Sequence, residues 1–410
     1  MLSLTTTRFL SLLASSFLLA RRTLLCATAR MLVIEPWMIP QEWLDMGGQD
    51  CGDCSACIRS EFAFVQAHPD TADEIFDKHW STWFSQKDVN VLVALGLNTV
   101  RIPLGYWILE ALVDRKTEFY PRGGLQQLRR GLIQLRNAGV DVILDHHALP
   151  GVQCTANVQF YTPANYRRAL IWTAVMTTLS HIDPAFASVV SIEAVNEPIM
   201  DAALTPGYGD FQKQFVQIVR VIERSLGINT GNWKRMHRRK PADSDSPVAA
   251  LRVAVESDSF PDDHTVLKEA LDIHFTGPNP AEAKYGPQVY DNHLYYRSDA
   301  NEDAYMKSIC NLQRVKDDAA LGNSPLVFGE WGLPTQFAAT EEFLRRWADA
   351  QKLAYTKGAG WIFWNFKIEK SALAGDLSRQ WSYFDGVKRG YLTVDPSEVH
   401  DPHVCDPYIA

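Results

Sequence analysis

The stretch VVSIEAVNEP, residues 189–198, is an apolar run that stops abruptly at a polar pair and a proline. It follows a segment of helical periodicity across Ala164–Ser180, so it is typical of a buried strand that opens into a loop. A second stretch, PLVFGEW at residues 325–331, has the same form. Each stretch places one glutamate, Glu197 or Glu330, where a strand is predicted to end.

Outward from these two stretches, apolar runs and amphipathic segments alternate along most of the chain. Leucines recur at helical spacing across Gly124–Asn137, immediately before the apolar run Asp141–His147. The other predicted strands are Met31–Pro36, Leu97–Leu104, Val189–Val195, Leu251–Glu256, Gln288–Tyr296, Leu326–Glu330 and Gly360–Phe366, and the other predicted helices are Phe211–Leu226, Asp303–Ala320 and Thr340–Thr356. Repeated strand–helix units of this number predict an α/β fold, a TIM (β/α)8 barrel in a single domain with loop excursions.

Composition and charge exclude several classes of partner. The net charge of −8 argues against nucleic acid or an anionic membrane surface. The apolar stretch Phe9–Ala20 is too short to span a bilayer, so we expect no integral membrane span. We expect a monomer.

The N-terminal region has the character of a targeting segment. No acidic residue precedes Glu35, Phe9–Ala20 has the length of a signal-peptide core, and Ala27-Thr28-Ala29 resembles a small-residue cleavage site. We therefore expect residues 1–29 to be a signal or targeting segment and residues 30–410 to form the barrel domain. This predicts a secreted or cell-wall protein, although arginine-rich, acid-free character also fits a mitochondrial protein, and a cytoplasmic location stays open.

The cysteines indicate disulfides rather than a metal centre. Cys51, Cys54 and Cys57 have the spacing C-x2-C-x2-C, but zinc normally takes four ligands in two separated pairs, and the sequence has no second close pair. A disulfide-bearing or free-thiol loop is therefore favoured, and we expect no metal site. Cys310 and Cys405 are a hypothetical link between the C-terminal tail and the body of the protein.

The predicted strands end in polar and aromatic residues, and active sites of such barrels lie at the carboxyl ends of the strands. These residues are Glu35, Arg101, His147, Asn196, Glu197, Glu256, His293, Tyr295, Glu330 and Trp364. Any one of them could be a satisfied polar residue or a helix cap, but the whole set at one end of a barrel predicts a functional cleft. Side-chain alternation along Asp141–His147 favours His147 over His146, which points the other way. Two carboxyl groups facing each other across such a cleft are what hydrolysis of a glycosidic bond requires.

These segments resemble glycoside hydrolase family 5, and within it the fungal exo-β-1,3-glucanases. The resemblance rests on LNTVRIPLGYW at residues 97–107, NEP at 196–198, YDNHLYY at 290–296, GEWG at 329–332 and GWIFWNF at 360–366. It extends over residues 31 to 385. The segment before Met31 departs from the family, which places a glycine-rich first strand there.

The resemblance implies a retaining mechanism on a β-glucan polysaccharide or oligosaccharide, with no metal or organic cofactor. Glu197 would be the general acid/base, kept protonated, and Glu330 the nucleophile, held ionised by Arg101. The implied substrate-binding residues are Glu35, Arg101, His147, Asn196, His293, Tyr295 and Trp364.

The resemblance leaves several activities open. The first is release of glucose from β-1,3-glucan by exo action. An endo-acting β-1,4- or β-1,6-glucanase and a wall-remodelling transglycosylase share the same strand-end residues. A non-catalytic glucan-binding barrel is an alternative of another class.

Overall fold

The structure is a computed structural model, and it describes residues 24–29, 31–51, 57–152, 159–199, 201–226, 288–296 and 301–409. Within these residues seven strands form one parallel sheet in the order β4-β3-β2-β1-β7-β6-β5. The strands are β1 (Leu24–Thr28), β2 (Thr99–Gly105), β3 (Asp141–Ala148), β4 (Val189–Glu193), β5 (Tyr290–His293), β6 (Leu326–Trp331) and β7 (Gly360–Phe363). The predicted strand Leu251–Glu256, with Glu256, lies outside the described residues.

The sheet is curled into a barrel. β4 and β5 stand at opposite ends of the strand order, yet His293 Nδ1 at the end of β5 lies 3.0 Å from Glu197 Oε1, just beyond β4. Only a sheet that curves back on itself brings its two edges that close. The predicted single-domain TIM-barrel fold is therefore confirmed.

Helices pack around this sheet. They are α1 (Pro40–Met46), α2 (Glu61–Ala67), α3 (Ala72–Trp83), α4 (Gln86–Ala94), α5 (Gly124–Asn137), α6 (Pro163–Ile182), α7 (Tyr208–Ser225), α8 (Glu302–Cys310), α9 (Arg314–Ala320), α10 (Glu341–Tyr355), α11 (Ser378–Trp381) and α12 (Tyr383–Lys388). Short 3-10 helices cover Pro36–Met38, Tyr106–Ile108, Glu110–Leu112 and Pro184–Phe186. In the part of the chain that the structure describes, no helix combines the length and the apolarity needed to cross a bilayer.

Two apolar layers support the barrel. Inside it, Ile143, Val327 and Ile362 from β3, β6 and β7 form a buried cluster below the polar residues of the cleft. Outside it, α5 buries Leu128 and the leucines that follow it at helical spacing, as its sequence predicts.

The first strand is where the prediction is wrong. Met31–Pro36 contains no strand, and the strand beside β2 and β7 is Leu24–Thr28 instead. Residues 31–34 are buried because they pack as irregular chain: the Trp80 indole N–H donates to the Leu32 carbonyl, and the Glu61 carboxylate accepts from the Ile34 amide. An apolar run indicates that a segment is buried. Here the segment is buried by side-chain packing, and its backbone does not pair with a neighbouring strand.

This correction affects the predicted division at residue 29. β1 lies on the leader side of that boundary, and both Ala27 and Thr28 are fully buried. Thr28 is in register with Arg101 on β2. A targeting segment ending at residue 29 would therefore include a strand of the barrel.

Two disulfides are present among the described cysteines. Cys51 pairs with Cys57, so the predicted cysteine loop carries a disulfide, and Cys310 pairs with Cys405. The second pair joins the end of α8 to the C-terminal tail, which confirms the hypothetical link. Cys54 lies outside the described residues.

We predict that a chain beginning at residue 30 lacks a cooperative thermal unfolding transition, whereas a chain beginning at residue 24 keeps one. β1 lies at the centre of the seven-stranded order, hydrogen-bonded to β2 on one side and β7 on the other. Its removal breaks both sets of backbone hydrogen bonds and exposes the edges of β2 and β7. Circular dichroism melting curves of the two chains provide the test. Equal midpoints would contradict a structural role for β1.

We also predict that the two disulfides contribute unequally to stability. Cys310 and Cys405 are separated by 95 residues, whereas Cys51 and Cys57 are separated by 6. Loop-closure entropy gives about 4–5 kcal/mol for the longer loop and about 2 kcal/mol for the shorter one. Denaturant unfolding of Cys405→Ser should therefore show the larger loss, with Cys57→Ser as the matched control, and the opposite ranking would refute the entropic account.

Candidate active site

Glu197 lies just beyond β4, on a turn with unusual backbone geometry. The Asn196 amide donates to the His146 carbonyl on β3 at 3.3 Å, which closes the turn. Glu197 then adopts a φ of 40°, in the left-handed region that side-chain-bearing residues rarely occupy. Such a conformation costs about 1–3 kcal/mol, and it directs the Glu197 side chain into the cleft.

Glu330 lies near the end of β6, opposite His293 in the register with β5. The residue before it must be a glycine, because the Asp291 carboxylate accepts from the Gly329 amide at 2.7 Å. A Cβ at Gly329 would overlap both oxygens of that carboxylate. Close approach of Asp291 therefore holds the β6 backbone beside β5, where Glu330 faces the cleft.

The two glutamates meet across the cleft as the sequence predicts. Glu197, His293 and Glu330 each offer one ligand-type atom, and these atoms lie within 4.8 Å of one another. His293 Nδ1 lies 3.0 Å from Glu197 Oε1 and 3.6 Å from Glu330 Oε2. In retaining glycosidases the two carboxyl groups stand about 5–5.5 Å apart, against about 6.5–9.5 Å in inverting ones. The approach of the two carboxyl groups here is closer than the separation of the inverting class.

Arg101, fully buried on β2, joins several strands through one guanidinium group. Its Nη1 donates to Glu330 Oε1 at 2.9 Å, and its Nη2 donates to Asn196 Oδ1 at 3.0 Å. Its Nε donates to both oxygens of Glu193, at 3.0 and 2.9 Å. Asp145 Oδ2 lies 3.1 Å from Nη2. One arginine therefore orients the carboxylate of β6 and the amide that follows β4.

The remaining predicted residues line the same cleft. The Tyr295 hydroxyl donates to Glu330 Oε2 at 3.1 Å. The His147 ring stacks on Trp364 at 5.5 Å and 11°, and Trp364 in turn lies beneath the Arg101 guanidinium at 5.8 Å. Glu35 Oε1 lies 3.6 Å from His147 Nε2. All nine predicted site residues are thus linked through direct contacts.

His146 serves the core instead of the cleft, in agreement with the predicted alternation. It is fully buried and stacks on Trp172 of α6 at 4.0 Å and 9°. Neither of its ring nitrogens has a hydrogen-bond partner among the described residues. Burial lowers its pKa to about 3, so the ring is neutral.

The pKa shifts of the two glutamates in the free protein have directions opposite to those that the prediction implies. Burial raises the pKa of Glu330 above the ordinary glutamate value, and the attraction of His293 and Arg101 offsets only part of that effect. A hydrogen bond with His293 lowers the pKa of Glu197. The side chain of Glu330 is 6% exposed and that of Glu197 54% exposed, so only Glu330 loses most of its water. The prediction considered the effect of the Arg101 charge on the pKa of Glu330 but not the effect of the burial of Glu330.

Sequence reasoning missed several residues of the site. Glu193 and Asp291 face the barrel interior from within their strands and contact Arg101 and His293 respectively. Trp37 donates its indole N–H to Glu35 at 2.7 Å and packs edge-on against Trp381. The available signal was an acidic residue inside a strand that is otherwise buried, since acidic residues are almost never buried without partners.

The Glu197–His293–Glu330 group has the donor atoms of a metal site, but its protonation disfavours one. Although burial lowers the pKa of His293, the charges of Glu330 and Asp291 raise it well above the ordinary histidine value. A protonated imidazole cannot bind a metal ion, because a metal needs the neutral ring. The group is therefore suited to hydrogen bonding between an imidazolium and carboxylates.

Comparison with known proteins agrees with this geometry. A family model described as "Cellulase (glycosyl hydrolase family 5)" matches residues 66–370. Glucan endo-1,6-β-glucosidase B of Emericella nidulans is 32% identical over 398 residues, covering 91% of this chain and 85% of the relative. A probable glucan 1,3-β-glucosidase A of Aspergillus fumigatus is 24% identical over 388 residues, covering 82% of this chain and 81% of the relative.

The solved structures agree on the fold. The rutinosidase of Aspergillus niger superimposes with a TM-score of 0.59 at 15% identity, over 89% of this chain and 97% of that protein. At this level of sequence identity, the structural similarity supports the barrel fold and nothing about activity. The family model, by contrast, covers more than half of the chain, and it includes both glutamates of the cleft. The chain therefore belongs to glycosyl hydrolase family 5 and is a glucan hydrolase.

Proposed function

We propose that the protein is a retaining β-glucan hydrolase that works by double displacement, with Glu330 as the nucleophile and Glu197 as the general acid/base. The observation that carries this proposal is the placement of carboxyl oxygens of Glu197 and Glu330 within 4.8 Å of each other. That approach is closer than the about 6.5–9.5 Å over which an inverting enzyme places its attacking water molecule between the two carboxyl groups.

In the first step a carboxylate oxygen of Glu330 forms a bond to the anomeric carbon as the glycosidic bond breaks. Arg101 and Tyr295 each hold one oxygen of Glu330, which orients the carboxylate for attack. Glu197 gives its proton to the leaving oxygen. In the second step water attacks the same carbon, its proton passes to Glu197, and the Glu330 carboxylate is released.

Substrate binding supplies the protonation that this mechanism needs. Glu197 is exposed enough in the free protein for a bound sugar to displace much of its water, and burial disfavours a charged carboxylate. A sugar hydroxyl near His293 would also compete for the hydrogen bond that lowers the pKa of Glu197. The proton therefore moves toward Glu197 as the cleft fills.

The other residues form the sugar pocket in this proposal. Trp364 provides the apolar floor on which the ring stacks, and His147 and Glu35 beside it bind hydroxyl groups. Asn196, whose side-chain oxygen is held by Arg101, presents its amide to the 2-hydroxyl, a contact that strengthens in the transition state.

We propose β-1,6-glucan as the preferred substrate. Support comes from the relative named as an endo-1,6-β-glucosidase, which is more similar and covers more of this chain than the relative named as a 1,3-β-glucosidase. Exo action on β-1,3-glucan is the second candidate, favoured by the resemblance of the strand-end segments to exo-β-1,3-glucanases. Both candidates use the same two glutamates.

We further propose that the protein is secreted or attached to the cell wall. Two disulfides join described parts of the chain, and disulfides persist mainly in oxidising compartments. A leader compatible with the fold would be removed before Leu24, because β1 begins there.

Product analysis tests the proposed function. On pustulan, laminarin and cellulose oligomers, we expect the fastest increase in reducing ends on pustulan, with short 1,6-linked fragments among the early products. Release of glucose alone from laminarin would favour the exo-β-1,3 candidate. With an aryl β-glucoside, NMR should detect the β-anomer first, and an α-anomer as the first product would rule out retention.

Substitution of Glu330 by Gln should lower kcat by at least about 10⁴-fold while glucan binding stays measurable, because the amide cannot attack. The matched control is Glu341→Gln, at the start of α10, whose carboxylate bonds the Tyr391 hydroxyl away from the cleft. Native kcat in Glu330→Gln, or an equal loss in the control, would contradict the assignment.

The order of the two pKa values predicts an unusual pH profile. The reactive form needs Glu330 ionised and Glu197 protonated, yet in the free protein the pKa of Glu330 is raised and that of Glu197 is lowered. The alkaline limb of kcat/KM, which reports the free enzyme, should therefore follow Glu330.

The test is Tyr295→Phe, which removes one hydrogen bond that stabilises the charged Glu330. A hydrogen bond to a charged group is worth about 1.5–3 kcal/mol, so the alkaline limb should rise by about one pH unit or more, with a lower plateau and an unchanged acid limb. A shift of the acid limb alone would show that Glu330 is the stronger acid of the pair.

A further inference from the structure

Among the acidic residues of the site, Glu193 makes the closest pairing with Arg101. Both of its carboxyl oxygens accept from Arg101 Nε, and Oε2 also lies 2.8 Å from Nη2. This side-on pairing occupies one edge of the planar guanidinium. The opposite edge, through Nη1, is thereby directed at Glu330.

The surroundings of Glu193 contain more acids than cations. Arg101 faces it from β2, Asp145 from β3 and Asp291 from β5. Glu330 shares the same guanidinium from β6. Four carboxyl groups thus stand around one arginine, Asp145 and Glu330 almost fully buried and Glu193 and Asp291 mostly so, and His293 lies beside Asp291. Full ionisation of all four would leave uncompensated buried charge, which is costly.

Contacts between the acids show where a proton can sit. Glu193 Oε2 and Asp145 Oδ2 lie on the same Arg101 nitrogen, Nη2, at 2.8 and 3.1 Å, and the charge of Asp291 also acts on Glu193. Carboxylates this close repel each other when all are ionised, and a proton on one of them replaces the repulsion by a hydrogen bond. Glu193 is the member that both aspartates face. Asp145 and Asp291 have other uses for their charge, since Asp145 pairs with His147 at 2.8 Å and Asp291 accepts from the Gly329 amide.

We propose that Glu193 is a positioning residue that holds a buried proton, donates it in a hydrogen bond to Asp291 or Asp145, and aligns Arg101 with the nucleophile Glu330. Its influence reaches the reacting atoms through Arg101 on one side and through Asp291 and the β6 backbone on the other. The kinetic part of this inference rests on the proposed function, and the proton assignment does not.

The direction of the pKa agrees with this geometry. Burial raises the pKa of Glu193 well above the ordinary value, and Asp145 and Asp291 raise it further against the pull of Arg101. The same arrangement keeps its partners charged: although burial opposes it, Arg101 and His147 lower the pKa of Asp145 to about 2. A neutral acid between two anions relieves their repulsion and leaves Arg101 for Glu330.

The kinetic experiment compares Glu193→Ala with Glu193→Gln. The alanine removes the support of Arg101, so kcat for an aryl β-glucoside should fall about 100-fold, as expected for a misplaced catalytic group, while KM changes little. Glutamine has the shape and neutral charge of a protonated glutamate, and its amide can both accept from Arg101 and donate to an aspartate. It should therefore restore most of the lost kcat and leave the alkaline limb of kcat/KM in place.

A charged Glu193 gives a different result. Glutamine would then remove a negative charge beside Arg101, Glu330 would be stabilised as the anion, and the alkaline limb would move down by half a pH unit or more. That shift, or a glutamine variant as slow as the alanine variant, would overturn the proposal. The matched control is Glu223, a buried glutamate on α7 that pairs with Arg220 at 2.6 Å away from the cleft. Glu223→Ala should lower the melting temperature without moving kcat or the pH limbs.

Infrared spectroscopy of the free protein tests, without any substrate, whether the Glu193 carboxyl group is protonated. At neutral pH the wild-type minus Glu193→Gln difference spectrum should contain the C=O stretching band of a protonated carboxyl group, and the Glu223→Gln difference should lack it. Absence of the band in the Glu193 difference refutes the buried proton even if catalysis proceeds as proposed. A wild-type protein that shows the band but cleaves no glucan would instead refute the proposed function.

Discussion

The buried guanidinium of Arg101 is the interaction on which the barrel and the cleft both depend. A charge with no exposure to solvent is tolerated only when oppositely charged groups surround it. The chain provides these from different strands: Asp145 on β3, Glu193 on β4 and Glu330 on β6. Asp145 lies on the strand paired with β2, whereas Glu330 stands three strands away in the sheet order and reaches Arg101 only because the sheet is curled. Closure of the barrel therefore also brings the Glu330 carboxylate to Arg101.

An excess of acid around that arginine has a functional consequence. In the proposed mechanism Glu330 must be ionised to attack, yet burial raises its pKa, and the nearby cations and hydrogen bonds oppose this. A tightly poised nucleophile of this kind needs every donor in place. Tyr295 and Arg101 each hold one of its oxygens, so no lone interaction determines its charge. The exposed partner, Glu197, can then respond to the substrate, because its environment changes most when the cleft fills.

The sequence predicts those parts of the structure that follow from periodicity. Alternation separates His147, which faces the cleft, from His146, which is stacked on Trp172 in the core. The prediction from sequence pattern is wrong at the first strand. Met31–Pro36 is apolar because its side chains pack in the core, and hydrophobicity alone does not show whether the backbone pairs with a neighbouring strand. The directions of the two glutamate pKa shifts do not follow from the sequence for a related reason, since desolvation depends on three-dimensional burial. Glu193 carries no pattern of its own, since its role exists only once Asp291, nearly a hundred residues later in the chain, lies beside it.

The division between strands and loops explains how one catalytic group can serve different linkages. Arg101, Asn196 and Glu330 are held by strand ends and by one another, so their positions relative to the anomeric carbon are independent of what the leaving sugar is. In the proposed mechanism the leaving sugar lies on the side of Glu197, which follows β4 and is more than half exposed. That mechanism assigns linkage preference to side chains on the loops beyond Glu197, where substitutions leave the buried charges around Arg101 undisturbed. A β-1,6 bond adds one rotatable bond between the rings, so a cleft that accepts it needs a wider and less enclosed approach to Glu197 than a β-1,3 bond does.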